Sequence, residues 1–250
     1  MSFSCCLKVG SFAKGTPKGS IEKIDGKDTY ITGDRSSKAA ILIVHDVFGI
    51  SLVNTKVLAD KYAAAVGAAV YLPDFFEGND FVQQGVLEGK KVDVPAFIGQ
   101  YSPREAAWEK TQAFVGEIRK LQPGAKIGAV GFCWGATSCL KLGEDGPNKV
   151  DAVAFCHPSV IEATDFSNLA TPGLFICPEH DQMFPEEKRN AAWEVAKSTL
   201  GPKKVFTSFV YVAGLTHGYA IKGDDEDEFT AIGMQHAANL VISHFSMFLK

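Results

Sequence analysis

The sequence lacks the features that would indicate a membrane-spanning, exported or polyanion-binding protein. Its longest apolar runs, such as residues 39–44, fall far short of the roughly 20 residues that a membrane-spanning helix needs. The first residues show no basic segment followed by an apolar one, so we expect no secretory leader. With 25 basic and 29 acidic residues, the formal net charge is −4. No basic excess therefore indicates binding to nucleic acid or to an anionic membrane.

Cysteines are few and do not form a recognisable framework. The chain has six of them, and no cysteine–histidine spacing resembles a zinc site. Because no secretory leader is expected, the thiols are expected to be reduced rather than joined in disulfides. The sequence therefore predicts a cytoplasmic protein with no metal and no cofactor.

What the sequence does contain is an alternation of short apolar segments with helical ones. At 250 residues and 46% hydrophobic content, one large domain is favoured over two small ones. Residues 1–27, rich in Gly, Lys and Ser, are interpreted as an N-terminal extension. The aliphatic run at 39–45 is typical of a strand covered on both faces of a parallel sheet. The predicted fold class is α/β, with a mostly parallel central sheet and helices on both faces.

Four segments give more specific expectations. Residues 28–33 are predicted to form a short edge strand, and residues 74–101, which have no clear period, an irregular insertion over the sheet. Residues 102–105 form a capping box that predicts the start of a helix. The stripe that this helix is expected to bury consists of Ala107, Thr111, Phe114, Ile118 and Leu121. The last helix, at 228–248, is expected to align Phe229, Ile232, His236, Leu240, His244 and Phe248.

The segment Gly131 to Ala136, Gly-Phe-Cys-Trp-Gly-Ala, follows one of the apolar strands. Its Gly-x-Cys-x-Gly pattern matches a nucleophile elbow with cysteine in place of serine. A side chain on such a sharp strand-to-helix turn is held in a strained conformation, and its neighbours two residues away must be small. The helix N-terminus after the turn favours a thiolate. Cys133 is therefore predicted to be a nucleophile.

Two further residues complete a catalytic constellation. A cysteine nucleophile needs a base to take its proton and an acid to orient that base. Asp181 and His217 follow Cys133 in the order nucleophile, acid, histidine, and each comes just after a predicted strand. Because the carboxyl ends of parallel strands meet at one rim of the sheet, we expect the three side chains to converge there.

Other residues compete for these roles. Glu179 is the one serious alternative to Asp181 as the acid. Five histidines are disfavoured as the base. His236 and His244 lie on the apolar stripe of the last helix, and His45 and His157 lack the required chain position. His180 adjoins Asp181 and is expected to point elsewhere.

An oxyanion hole is expected beside Cys133. Its donors should be the backbone N–H of the residue after the nucleophile, Trp134, and one from the loop after the strand at 39–45. Val47 is chosen as the second donor. Phe48 and Tyr219 are predicted to line the substrate pocket, whose remaining walls should come from residues 74–101.

These motifs together resemble the dienelactone hydrolase family of α/β-hydrolases. The resemblance covers roughly residues 28–249 and rests on four segments, at 46–49, 131–136, 179–181 and 213–219. The opening Cys5-Cys6 pair and residues 15–19 are similar to the fungal branch of that family. The resemblance implies an α/β-hydrolase fold, and hydrolysis of an enol-lactone to a keto acid through a thioester on Cys133.

The resemblance also implies two further groups, and this sequence departs from the family at both. Bacterial members have a glutamate near the thiol, where this chain has Asp46, one methylene shorter. They also have an arginine shortly after the catalytic histidine, which grips the substrate carboxylate. Here Lys222 is the basic residue nearby, and it cannot reproduce the two-pronged arginine contact.

Several alternatives stay open at this point. The same triad could serve a dienelactone-type hydrolase or a broader carboxylesterase or thioesterase. A non-catalytic ligand-binding protein with this fold is disfavoured, because binding alone has no need for all three residues. The expected partner is a small-molecule ester or lactone, and the sequence does not distinguish a monomer from a homodimer.

Overall fold

A computed structural model describes residues 15–101, 104–223 and 227–250. Cys5, Cys6 and the capping-box residues Ser102 and Pro103 lie outside this part of the chain. The strands are β1 Ser20–Ile24, β2 Lys27–Thr32, β3 Ala39–Val44, β4 Ala69–Pro73, β5 Lys126–Phe132, β6 Ala152–Cys156, β7 Gly173–His180 and β8 Thr207–Thr216. The helices are α1 Val53–Val66, α2 Val94–Tyr101, α3 Arg104–Leu121, α4 Ala136–Leu142, α5 Glu186–Thr199, α6 Tyr219–Lys222 and α7 Glu228–Phe248. Short 3-10 helices occupy Val86–Glu88, Cys133–Gly135 and Ala163–Phe166.

All eight strands join one sheet in the order β1-β2-β4-β3-β5-β6-β7-β8. The six strands from β4 to β8 in this order run parallel, while β1 and β2 are antiparallel to their neighbours. Strand β3 is buried at all six positions, as its aliphatic sequence predicts for a strand with helices on both faces. The predicted α/β class is confirmed. No helix in the described ranges is long and apolar enough to cross a membrane.

The amino-terminal edge of the sheet differs from the prediction. Residues 20–24, assigned to an extension, form β1, so β2 is not the edge strand. Asp25 and Gly26 connect the two strands with φ angles of 48° and 74°. Two consecutive positive φ angles are typical of a tight hairpin turn, for which Asp-Gly is a favoured sequence. This dipeptide was the missed signal.

The segment at 74–101 is more ordered than its sequence predicts. It contains the 3-10 helix at 86–88 and helix α2, which buries Val94 and Phe97. Helix α2 is too short for its periodicity to emerge from the sequence. In α3 the predicted stripe is buried except for Leu121, which lies at the helix end and is 46% exposed.

Helix α7 has the predicted bounds but buries a different face. Its predicted stripe was wrong at Phe229, Ile232 and His236, which are exposed. The buried positions share only His244 with the predicted stripe: Gly233, Met234, Ala237, Ala238, Val241, His244 and Phe245. Small residues permit close approach here, since a Cβ atom on Gly233 would lie 2.3 Å from the Leu215 side chain. The bulky residues that suggested the stripe therefore do not mark the contact face.

This helix face can be tested by comparing Phe245→Ala with Ile232→Ala. Phe245 is fully buried against β5, where a Cβ atom on Gly128 would lie 2.8 Å from its ring. Its truncation should lower the free energy of unfolding by about 3–5 kcal/mol, because it leaves a cavity. Ile232 is 60% exposed, and its truncation should change that free energy by less than about 0.5 kcal/mol. Urea unfolding monitored by circular dichroism measures both, and equal effects would contradict the observed helix orientation.

Candidate active site

The predicted elbow joins β5 to α4. Cys133 directly follows β5 and has a φ angle of 48°, in the left-handed region that L residues rarely adopt. The two flanking glycines lie in close backbone contacts. A Cβ atom on Gly135 would lie 2.1 Å from the Val44 carbonyl oxygen, and one on Gly131 would lie 2.4 Å from the Gly135 carbonyl oxygen. Only glycine fits at either position, which explains the Gly-x-Cys-x-Gly spacing.

Asp181 and His217 form a buried pair at the same rim of the sheet. Asp181 directly follows β7, and His217 directly follows β8. The Nδ1 atom of His217 lies 2.9 Å from both carboxylate oxygens of Asp181. Backbone N–H groups of Met183 and Phe184 donate to Asp181 Oδ1 at 2.8 and 3.1 Å. These bonds hold the carboxylate in place, so that it orients the imidazole.

The remaining ring nitrogen of His217 is available to a reacting group. Its Nε2 atom is buried and makes no contact with Asp181. The group that interacts with the ring on this side is the Cys133 side chain. Burial alone would lower the pKa of His217. The charge of an ionised Cys133, together with hydrogen bonds to Asp181 and Cys133, outweighs burial and raises this pKa to about 10. An ionised Cys133 therefore favours a protonated His217.

Cys133 and His217 open onto one pocket of about 830 Å³, its open mouth included. The predicted site residues that line it are Asp46, Val47, Phe48, Cys133, Trp134 and His217. Residues 74–101 form an apolar wall of this pocket, as predicted, with Phe81, Val94, Phe97, Ile98 and Tyr101. The Nε1–H of Trp134 donates to the Tyr101 carbonyl at 2.8 Å and so joins this wall to the elbow.

Tyr219 does not line the pocket, which corrects the prediction. Its side chain is 1% exposed and packs against His157, with the ring centroids 6.0 Å apart. It therefore lies behind the site, while Gly218 and Lys222 on either side of it in the sequence reach the pocket.

Asp46 is held at the pocket by its own loop. Its Oδ1 accepts the Phe48 N–H at 2.9 Å, and the residue is 2% exposed. Burial raises its pKa to about 7, although nearby His217 and Lys222 partly oppose that shift. The carboxyl group can thus be neutral or charged near neutral pH.

Two alternatives to the predicted acid and base, Glu179 and His45, have other partners. Glu179 is half-exposed and accepts the Gly214 N–H at 2.7 Å, so it does not face His217. Both ring nitrogens of His45 are hydrogen-bonded: Nδ1 donates to the Asp46 carbonyl at 2.8 Å, and Nε2 accepts from the Phe75 N–H at 3.1 Å. Of the two histidines predicted to be in the core, His244 is buried and His236 is exposed.

Sequence reasoning missed Ser159 as a pocket residue and undervalued Lys222. Ser159 lies three residues after the end of β6, and Lys222 ends the short helix after His217. The rule that placed Asp181 and His217 at the carboxyl ends of parallel strands applies equally to the loop after β6. That rule was the available signal for Ser159.

Comparison with known proteins now adds to this geometry. The dienelactone hydrolase family matches residues 28–249. The chain belongs to the dienelactone hydrolase family. Dienlactone hydrolase 1 of Gibberella moniliformis is 31% identical over 201 residues, which cover 76% of this chain and 74% of that protein. A carboxymethylenebutenolidase homolog of Mus musculus is 29% identical over 180 residues, covering 72% of this chain and 70% of the mouse protein.

A solved structure extends the likeness to the fold. The dienelactone hydrolase-like promiscuous phosphotriesterase P91, from metagenomic libraries, superposes with a TM-score of 0.69 at 18% identity, covering 90% of this chain and 93% of that one. The dienelactone hydrolase family has the α/β-hydrolase fold, and the predicted fold and family are confirmed. As a member of the family, this protein is an enzyme that hydrolyses ester or lactone substrates.

The raised pKa of Asp46 makes a pH-dependent prediction about stability. The Asp46 carboxyl has a pKa of about 7 in the folded protein, so the folded state binds this proton more tightly than the unfolded state does. Raising the pH through this range therefore costs stability. Asp46→Asn keeps an oxygen for the Phe48 N–H and removes the titration. Wild type should lose this stability as the pH rises, while Asp46→Asn should not. The difference in free energy of unfolding, variant minus wild type, should therefore increase by about 2–3 kcal/mol between pH 5 and pH 8. Urea unfolding at the two pH values measures this, and an equal difference at both would contradict it.

Proposed function

We propose that this family member is a cysteine-dependent hydrolase that acts through a thioester on Cys133. The observation that supports this most is the pair of 2.9 Å contacts between His217 and Asp181, at a pocket that Cys133 also lines. The strained elbow supports it further, because such strain is retained at sites where a side chain must be presented.

The proposed reaction begins when His217 Nε2 takes the proton from the Cys133 thiol. The thiolate attacks the ester carbonyl carbon, and the backbone N–H groups of Val47 and Trp134 stabilise the oxyanion. As the tetrahedral intermediate collapses, the ester C–O bond breaks and the leaving oxygen takes the proton from His217. Asp181 keeps the ring oriented throughout.

Water completes the cycle. His217 takes a proton from a water molecule, which attacks the thioester carbonyl and forms a second tetrahedral intermediate in the same oxyanion site. The carbon–sulfur bond then breaks, the acid product leaves, and the proton on His217 returns to Cys133. The overall reaction converts an ester and water into an acid and an alcohol. With a lactone, one water is added and the ring opens to a single hydroxy or keto acid.

The pocket supports an activated ester or enol-lactone of the dienelactone type as substrate. A thiolate displaces stable leaving groups, such as enolates, more readily than amines, so we propose an esterase rather than a peptidase. The aromatic wall from residues 74–101 also favours a broader carboxylesterase or thioesterase with aryl substrates, which remains the second candidate.

We also retain the cytoplasm as the proposed location. The four cysteines in the described ranges, Cys133, Cys139, Cys156 and Cys177, are free thiols, which is consistent with a reducing compartment.

The nucleophile is tested by Cys133→Ala, with Cys139→Ala as the matched control. Cys139 lies on α4 and is fully buried, so its loss should leave the chemistry intact. We expect the first variant to lose at least about 1,000-fold in kcat/KM for an aryl ester, as removal of a triad member does. The control should stay within about threefold of wild type, consistent with a conservative core change. Ester turnover retained by a folded Cys133→Ala protein would reject the proposal.

The substrate class is tested with enol-lactones, aryl esters, acyl thioesters, alkyl esters and amides of matched acyl groups. Because the leaving group departs from a thiolate adduct, substrates with enolate, phenolate or thiolate leaving groups should exceed the matched alkyl esters and amides by at least about 100-fold in kcat/KM, roughly 3 kcal/mol. The highest value on an enol-lactone would favour the dienelactone type. The highest value on aryl esters or thioesters would favour the second candidate, and equal values on amides would contradict both.

A further inference from the structure

Ser159 touches the proposed nucleophile through both its backbone and its side chain. It follows β6, the strand next to β5 in the sheet. Its backbone N–H donates to the Cys133 carbonyl at 3.0 Å, and its Oγ lies 3.5 Å from Cys133 Sγ, within hydrogen-bond distance for sulfur. Ser159 is 3% exposed and lines the pocket. The hydroxyl is thus fixed beside the reacting sulfur on the β6 side of the elbow.

The loop that presents Ser159 is itself strained. His157 and Val160 have φ angles of 39° and 58°, so they flank Ser159 with two left-handed residues that are not glycine. The His157 N–H donates to the Ile176 carbonyl at 2.9 Å, which ties the loop to β7. Such conformations persist only where the surroundings over-determine them, and they cluster at functional sites. Ser159 and Cys133 are thus held against each other by two strained turns, the loop after β6 and the elbow after β5.

We propose that Ser159 is a catalytic residue whose hydroxyl donates a hydrogen bond to the Cys133 thiolate. This rests on the cysteine mechanism proposed above. A serine hydroxyl can both accept and donate. It accepts from the neutral thiol, in the direction that the geometry indicates. When the proton passes to His217, the hydroxyl turns and donates to the sulfur. Hydrogen bonds to ionised groups are stronger than neutral ones, so the contact stabilises the thiolate more than the thiol.

The proposal assigns Ser159 a part at two points of the cycle. It stabilises the thiolate before attack and again when the carbon–sulfur bond of the thioester breaks. Several titratable groups lie around the sulfur. Asp46, His217 and Lys222 share the pocket with it, and Asp181 and His157 lie against His217. Ser159 is a neutral donor among these groups, so its effect can be separated from theirs by removing one oxygen atom.

The test compares Ser159→Ala with Ser138→Ala. Ser138 is a fully buried serine on α4 whose Oγ has no hydrogen-bond partner among the described residues. Each variant loses one buried hydroxyl, and Ser159→Ala keeps the backbone bond to Cys133. The first readout is the pH dependence of Cys133 alkylation by iodoacetamide, measured by mass spectrometry of the Cys133 peptide. The second is kcat and KM for an aryl ester, and thermal unfolding checks that both variants are folded.

We expect Ser159→Ala to raise the pH midpoint of alkylation by about one unit and to lower kcat about tenfold with KM nearly unchanged. Ser138→Ala should match wild type in both readouts. An alkylation midpoint of Ser159→Ala equal to that of wild type would overturn the proposal. Equal shifts in both serine variants would also overturn it, since they would reflect only a change in packing.

The alkylation measurement does not need turnover, so the two proposals fail separately. If folded Cys133→Ala keeps its activity, the cysteine mechanism fails whatever Ser159 does. If Cys133→Ala is inactive while Ser159→Ala alkylates and turns over like wild type, the mechanism stands and the role of Ser159 is rejected.

Discussion

The site depends on one steric constraint, the close backbone contact at the elbow. Gly135 lies against the Val44 carbonyl and Gly131 against the Gly135 carbonyl, at distances that no side chain can share. Because β5 and α4 can approach only in this way, Cys133 is forced into a left-handed conformation at the rim of the sheet. The rest of the site is arranged around that position, with loops after β3, β6, β7 and β8 each placing a residue near it.

Several ionisable groups are buried close together at this rim. Each needs a hydrogen bond or an opposite charge to offset the loss of hydration. Asp181 has two backbone donors and the imidazole of His217. Asp46 has one backbone donor, and burial raises its pKa to about 7. Buried groups with shifted pKa values, such as Asp46 and His217, are common at catalytic sites. Burying ionisable groups also lowers the stability of the folded protein, so the site itself is destabilising.

Much of the site could be predicted from the sequence because its geometry follows from chain order and strand ends. The elbow pattern, Asp181 and His217 needed only the rule that parallel strands end at one rim, and the structure brings these residues together. The rest depends on packing that no single segment encodes. The buried face of α7 is selected by the small residues Gly233 and Ala237, which look unimportant in a pattern of bulky apolar residues. Tyr219 is next to a pocket residue in the chain, yet its ring turns into the core against His157.

One consequence follows from the continuity of the pocket wall. Its residues at 81–101 come from a single interval between β4 and α3. The rings of Phe76, Phe81 and Tyr101 in this interval all pack against Phe97. The interval is anchored to the elbow through the Trp134 bond to Tyr101. The pocket wall and the residues at the strand ends therefore come from different segments of the chain. Substitutions in the wall can change which esters fit the pocket without altering the residues at the strand ends.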